Sequence, residues 1–72
     1  MNKRKEIVPN NLKEYRLKAG LTQKEVAKLV GVNSQERICH WEKGRNVPNI
    51  FNLIRICKIY HTVPSKIYTD LF

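Results

Sequence analysis

Three glycines, Gly20, Gly31 and Gly44, divide most of this 72-residue chain into short segments. Each glycine follows a stretch of helical periodicity, where the left-handed backbone of a helix C-terminus suits a residue without a side chain. No segment shows the sustained alternation of apolar and polar residues that is typical of a strand. The spacing therefore predicts an all-α fold built from short helices.

Capping residues and apolar periodicity predict five of these helices. The first covers residues 11–19, and the second begins at Thr22 within a Thr-x-x-Glu capping box. Ser34 caps a third helix of roughly ten residues that closes at the next glycine, and Asn49 caps the fourth. Pro64 opens a short fifth helix.

Two apolar surfaces are predicted near the C-terminus. The fourth helix carries a wide stripe that we expect to be buried, comprising Ile50, Leu53, Ile54, Ile56, Cys57 and Tyr60. The end of the chain carries a second set, Ile67, Tyr68, Leu71 and Phe72. This second set is a candidate surface for self-association, with closure of the core as the alternative.

The charge is strongly unbalanced, with 14 Lys and Arg against 6 Asp and Glu, a formal net charge of +8. Such a surface attracts polyanions, and nucleic acid is the commonest of these. The alternative is that the charge only keeps the domain soluble. No apolar run predicts a signal peptide or a membrane span, so we expect a cytoplasmic protein that does not contact a membrane.

The second and third predicted helices carry an ordered string of residues. It reads Leu21-Thr22-Gln23-x-x-Val26-Ala27-x-x-Val30-Gly31-Val32, then Ile38, Trp41-Glu42-x-Gly44, Pro48-Asn49 and Leu53. In this string the chain resembles the lambda-type repressor and Cro helix-turn-helix family, over about residues 11–70. The resemblance implies a compact five-helix bundle that binds an operator in double-stranded DNA, generally as a homodimer, and regulates transcription, with a repressor as the first expectation. The turn, with Asn33-Ser34, is one residue longer than the common form.

The resemblance also implies which residues meet the DNA. The base contacts would be Gln35, Glu36, Arg37 and His40, at the outer side of the third helix. The phosphate contacts would be Gln23, Lys43, Arg45 and Asn46. Glutamine suits adenine and a glutamate can accept from cytosine, whereas arginine suits guanine or phosphate. For Gln35 and Glu36 the alternative is ordinary helix N-terminal chemistry. For His40, Lys43, Arg45 and Asn46 the alternative is exposed polar surface.

Arg16 and Glu42 each place a charge on an otherwise apolar helix face, and the family pairs the matching positions. We therefore expect a partly buried structural ion pair between the first and third helices. Residues 1–9, with Lys3-Arg4-Lys5, are interpreted as a flexible basic arm in front of a DNA-binding domain at residues 10–72. The arm is a further candidate contact to phosphate or to the minor groove.

The sequence bears on three other classes of function. Zinc would need Cys39, His40, Cys57 and His61 to converge, but adjacent helical residues point about 100° apart, and Cys-x2-Cys spacing is missing. We therefore expect no metal and no cofactor. An enzyme is not predicted, because no nucleophile, base and orienting group suggest themselves. The serious alternative is an antitoxin or adaptor that uses the same fold to bind a protein.

Overall fold

The computed structural model describes residues 7–72, and this part of the chain contains five α-helices and no strand. The helices are α1 (Leu12–Lys18), α2 (Gln23–Val30), α3 (Gln35–Glu42), α4 (Ile50–Tyr60) and α5 (Pro64–Ile67). α3 packs against both α1 and α2, while α4 packs against α2 and α5. The all-α fold class is confirmed.

The helix starts are fixed by side chains that bond to free backbone N–H groups. Thr22 Oγ1 accepts from the backbone N of Glu25 at 3.0 Å, and Glu25 Oε1 accepts from the backbone N of Thr22 at 2.8 Å. This reciprocal pair completes the predicted capping box. Ser34 Oγ and Asn49 Oδ1 accept from N–H groups two and three residues on, at 3.0 and 2.9 Å. All three caps are confirmed.

The helix ends also follow the sequence. Gly20, Gly31 and Gly44 have φ angles of +73°, +92° and +79°, so each one adopts the left-handed backbone predicted for it. α3 is shorter than expected, because it ends at Glu42 and its C-cap residue, Lys43, precedes the glycine.

The core takes side chains from all five helices and from the residue that follows α5. Its members are Leu12, Val26, Ala27, Val30, Ile38, Trp41, Leu53, Ile56, Cys57, Tyr60, Ile67 and Tyr68. α3 supplies two of them, Ile38 and Trp41, and these hold its inner side against the bundle. The opposite side of α3 is therefore free for other contacts.

The predicted burial of α4 is wrong at two positions. Ile50 and Ile54 are 55% and 47% exposed, and Phe51 beside them is 72% exposed. In so small a bundle α4 packs on one side only, so a wide apolar stripe cannot be covered across its whole width. These three side chains form what we call the α4 surface.

The predicted self-association set is also divided. Ile67 and Tyr68 have no exposed surface and close the core, so they are not available to a second molecule. Leu71 and Phe72 are 56% and 64% exposed. Ile67 and Tyr68 therefore close the core, as in the alternative interpretation of this set, and only Leu71 and Phe72 remain available for self-association.

Residues 7–11 link the two ends of the fold and are called the N-terminal segment here. The backbone N of Val8 donates to Gly44 O at 3.0 Å, and the backbone N of Asn11 donates to Ile67 O at 3.0 Å. Lys3-Arg4-Lys5 lie outside the described residues. Within the part of the chain that is described, no helix has the length and apolar character to cross a bilayer.

Candidate nucleic-acid interface

α2 and α3 form two short helices joined by a tight turn. α2 ends at Val30, its cap Gly31 turns the chain, and α3 begins three residues after Val32, behind the cap Ser34. The backbone N of Val32 donates to Ala27 O at 3.0 Å, which closes the turn onto α2. This arrangement has the geometry of a helix-turn-helix, in which the second helix is presented outward.

The start of α3 brings together three of the predicted base-contact residues. Gln35, Glu36 and Arg37 are all exposed, in the first turn of the helix. The fourth, His40, lies about one turn further on and is half-buried. One amide, one carboxylate, one guanidinium and one imidazole thus lie within two turns of the same helix. Together these groups can donate hydrogen bonds to the edges of DNA bases and accept hydrogen bonds from them.

Arg37 packs over a neighbouring aromatic ring. Its guanidinium lies over the ring of Trp41, with 5.7 Å between the guanidinium carbon and the ring centroid. A cation over an aromatic face is attracted to it, and the stacked geometry restricts the rotamers of the arginine. Arg37 is therefore directed along α3 toward its C-terminal half, away from the glutamine that opens the helix.

The ion pair expected between α1 and α3 is present. Arg16 Nε donates to Glu42 Oε2 at 2.6 Å, and the two side chains are only 10% and 5% exposed. Arg16 Nη2 also donates to Glu42 Oε1 at 3.3 Å, and Nη1 donates to Leu21 O at 2.9 Å. The hydrogen bond to Glu42 raises the pKa of Arg16, while its burial acts in the opposite direction.

Gln23 belongs to the same hydrogen-bond network as Arg16 and Glu42. The sequence did not predict this role of Gln23. Its Nε2 donates to Glu42 Oε1 at 3.0 Å, so the side chain that was expected to meet a phosphate is held against α3. The network joins α1, α2 and α3 at the N-terminus of α2. Its signal in the sequence is indirect, since only the buried Arg16 and Glu42 stand out as charges on apolar faces.

The other predicted phosphate contacts lie together after α3. Lys43, Arg45 and Asn46 are all exposed, and the loop that carries them is tied to α3 by backbone hydrogen bonds. The backbone N of Arg45 donates to His40 O at 3.0 Å, and the backbone N of Lys43 donates to Cys39 O at 2.9 Å. The loop thus has a fixed position relative to α3.

Asn10 supports this loop and was not singled out from the sequence. Its Nδ2 donates to Val8 O and to Trp41 O, both at 3.1 Å, and its Oδ1 accepts from the backbone N of Leu12 at 3.0 Å. One amide therefore accepts from the first backbone N–H of α1 and donates to a carbonyl at the end of α3. An Asn just before a helical pattern is a known capping signal, but its second contact depends on the tertiary fold.

The residues considered for zinc do not converge. Cys39 is half-buried on α3, whereas Cys57 lies in the core, where burial raises its thiol pKa. His61 caps α4 with a left-handed backbone, at a φ of +55°. Over residues 7–72, no group of three or more His, Cys, Asp or Glu side chains is arranged to hold a metal ion.

Comparison with known proteins agrees with this geometry. Residues 12–66 match the helix-turn-helix family model. Two proteins of Archaeoglobus fulgidus, both named as uncharacterized HTH-type transcriptional regulators, are also similar to the chain. One is 38% identical over 50 residues, covering 69% of this chain and 70% of the relative. The other is 35% identical over 57 residues, covering 79% of each.

The chain therefore belongs to the helix-turn-helix family, which confirms the resemblance drawn from its sequence. The match spans α1 to α5 almost completely, so the whole bundle and not only the α2–α3 pair is shared with the family.

Proposed function

We propose that this protein is a sequence-specific regulator of transcription that binds double-stranded DNA with α3 in the major groove. One observation carries the proposal: Ile38 and Trp41 anchor α3 to the bundle, while the side chains of Gln35, Glu36 and Arg37 in its first turn remain exposed. A helix seated in this way can enter a groove without unfolding any part of the bundle. The net charge of +8 supports a polyanionic partner.

Within this proposal, Gln35 and Glu36 read base edges at the start of α3, and His40 reads one turn further on. Gln35 can pair with the donor and acceptor of adenine, and Glu36 can accept from the amino group of cytosine. A carboxylate near phosphates also disfavours every base that offers it no donor, so Glu36 adds selectivity by exclusion. Arg37, stacked on Trp41, is assigned to a guanine or a flanking phosphate.

Phosphates would be held at both edges of this surface. Lys43, Arg45 and Asn46 contact the backbone from the loop after α3. Gln23 contacts it at the N-terminus of α2, where the helix dipole favours an anion. Because Glu42 holds the amide of Gln23 in place, this contact needs little ordering when DNA binds. Lys3-Arg4-Lys5 of the basic arm remain a further candidate contact.

We further propose that the protein acts as a homodimer on an operator of two half-sites, about 34 Å apart along the DNA. The α4 surface is the candidate contact, because α4 begins only a few residues after Arg45 and Asn46. A second copy docked there would lie on the same DNA, next to the first. A dimer bound to the operator would then repress transcription by blocking access to the DNA. We propose the cytoplasm as the place where it acts.

A second candidate function, an antitoxin or adaptor that binds another protein, is favoured by the same α4 surface. Three exposed apolar side chains on one helix are more than isolated surface residues, and such a patch suits a protein contact. In this alternative the partner on α4 is a different protein and α3 makes no base-specific contact.

A mobility-shift titration separates the two functions. Sites are selected from a random DNA library with the purified protein, and the best site is then compared with random-sequence duplex at 0.15 M salt. We expect the selected site to bind about 10³-fold or more tightly than random sequence. Equal affinity for both duplexes would contradict sequence-specific regulation and favour the protein-interaction role.

A further inference from the structure

A groove of about 240 Å³ lies between α2 and the start of α3. It is lined by Lys24, Ala27, Lys28, Val32, Asn33 and Gln35. The floor is apolar, since Ala27 is buried and Val32 is half-buried. The four polar lining residues are exposed, and Gln35, the residue that opens α3, is one of them.

The chemistry of the groove suits an anion. Lys24 and Lys28 are four residues apart on α2, so both ammonium groups lie on one helix face. The amide of Asn33 adds a donor on the opposite wall, and no carboxylate is among the lining residues. Glu25, which stands between the lysines in sequence, is engaged elsewhere, because its Oε1 accepts from the backbone N of Thr22.

Neither lysine has an intramolecular ion partner in the part of the chain that the structure describes, where the ion pair present is Arg16–Glu42. The groove is open along one side, so it does not enclose a small molecule. A phosphodiester chain needs contact from one side only, and it passes over such a groove without being surrounded.

The position of this groove beside the start of α3 favours a DNA phosphate as the anion. α3 has eight residues and rises about 12 Å, which is comparable to the width of the major groove of B-DNA, also about 12 Å. When such a helix lies across the major groove, cations at its two ends reach the phosphates of opposite strands. Arg45 follows the C-terminus of α3, whereas the two lysines flank its N-terminus.

We propose that Lys24 and Lys28 hold a DNA phosphate over this groove, on the strand opposite the one contacted by Arg45. This inference rests on the proposed function, because it assumes that α3 lies in the major groove. It adds a phosphate site that neither the sequence resemblance nor the α3 loop supplies. The two lysines would fix the angle at which α3 enters the DNA and would leave base preference unchanged.

The first test is the salt dependence of binding for the double variant Lys24→Gln/Lys28→Gln. The matched control is Lys13→Gln/Lys58→Gln, which removes the same charge from exposed positions on α1 and α4. We expect the test variant to bind the selected site roughly tenfold more weakly at 0.15 M salt. The slope of log K against log salt should be smaller by about 1, the value for one phosphate. The control should change the slope by less than half of this.

The second test replaces single phosphates of the selected site by neutral methylphosphonates, on each strand in turn. At one position, the neutral replacement should weaken binding by the wild type and by Arg45→Ala. The same replacement should not change the affinity of the lysine double variant. The phosphate whose replacement does not change the affinity of Arg45→Ala should lie on the other strand. Identical profiles for the lysine variant and the wild type would overturn the proposal, as would a slope equal to that of the control.

Failure of the inference is distinguishable from failure of the proposed function. If the wild-type protein prefers no sequence, specific regulation fails, while the lysine site is judged from the salt slope on random-sequence duplex. If the wild type selects a site but both double variants behave alike, only the lysine site fails. Helical circular dichroism of each variant ensures that a loss reflects binding, since all four substituted lysines are exposed.

Discussion

At the scale of single residues, the most consequential charges are those of Arg16 and Glu42, which lie where water is nearly excluded. The two side chains make a bidentate contact, Leu21 O accepts a further bond from Arg16, and Gln23 donates one to Glu42. A pair of this kind contributes less to stability than its geometry suggests, because both charges lose hydration on folding. Removing only one partner is far more costly, since it leaves the other charge buried alone.

A double-mutant cycle tests this account of the pair. We expect Arg16→Met and Glu42→Leu each to lower the free energy of unfolding by about 3–5 kcal/mol, and the double variant to recover part of that loss. Urea titration followed by circular dichroism gives the four values, with sulfate added if a single variant is too unstable. Additive losses in the double variant would show that the two charges do not stabilise each other.

Tyr68 offers a second test at this scale. Its side chain is fully buried, and its hydroxyl has no hydrogen-bond partner among the described residues. Burial raises the pKa of Tyr68 to about 12. Because the folded pKa lies above the unfolded value, the contribution of Tyr68 to stability is complete below pH about 10 and is lost as the pH rises toward 12.

We therefore expect Tyr68→Phe to be neutral or stabilising by about 1 kcal/mol at pH 7, since it removes an unpaired buried polar atom. The variant should also lose less stability between pH 10 and pH 12 than the wild type. Thermal unfolding measured across this range checks both effects. A variant clearly less stable at pH 7 would indicate that the hydroxyl does have a partner.

At the scale of elements, the end of α3 and the N-terminal segment depend on one glycine. A Cβ built on Gly44 would lie 2.5 Å from Val8 O and 2.7 Å from Ile7 Cγ2. Gly20 has a similar φ but nothing within 4 Å of such a Cβ. The two glycines therefore separate the cost of a left-handed backbone from the cost of displacing a neighbouring segment.

We expect Gly20→Ala to destabilise by about 1–2 kcal/mol, through its backbone conformation alone. Gly44→Ala should cost clearly more, because the chain at Val8 must also move. Urea unfolding of both variants gives the comparison, and hydrogen exchange of the Val8 amide should become faster only in Gly44→Ala. Equal losses would mean that the N-terminal segment does not pack on the loop as described.

Some features of the helices could be predicted from the sequence alone, and others could not. Thr22, Ser34 and Asn49 were predictable as caps, because capping is a local interaction between residues two or three apart. The exposure of Ile50 and Ile54 was not, because the width of a buried stripe depends on how many neighbours α4 has. Contacts such as those of Asn10 with the end of α3 join residues far apart in sequence and leave no local pattern.

The candidate interface divides in the same way. The exposed positions at the start of α3 follow from helical periodicity, once Ser34 sets where the helix begins. The bond between Gln23 and Glu42 joins residues on different helices and could not be read from spacing. Arg37 and Trp41 are four residues apart on one helix, so spacing makes them neighbours, but their contact still depends on the rotamers of both side chains. The groove beside Lys24 and Lys28 exists only when α2 and α3 have packed together.

At the scale of the whole molecule, the proposed dimer places two copies side by side on DNA through the α4 surface. The variant Phe51→Ser removes its largest exposed apolar side chain, which is 72% exposed, so folding should be little affected. We expect it to bind a two-half-site operator at least tenfold more weakly and without cooperativity. Sedimentation in the presence of DNA gives the stoichiometry.

The matched control is Phe72→Ser, which removes an equally large side chain that is 64% exposed at the C-terminus. It should leave the dimer intact. If Phe72→Ser abolishes cooperative binding and Phe51→Ser does not, the dimer contact lies at the end of the chain. A wild-type protein that stays monomeric on DNA at every concentration would exclude the dimer altogether.

The proposed function requires the outer side of α3 to read base pairs while the loop after it holds phosphates. The most direct measurement is selection of bound sites from a random DNA library with the wild type, Gln35→Ala and Arg45→Ala. Gln35→Ala should lose preference at one base pair of each half-site and weaken binding there by about 1–3 kcal/mol, whereas Arg45→Ala should weaken all sequences alike. An unchanged motif for Gln35→Ala, or the same loss of preference in both variants, would contradict the account.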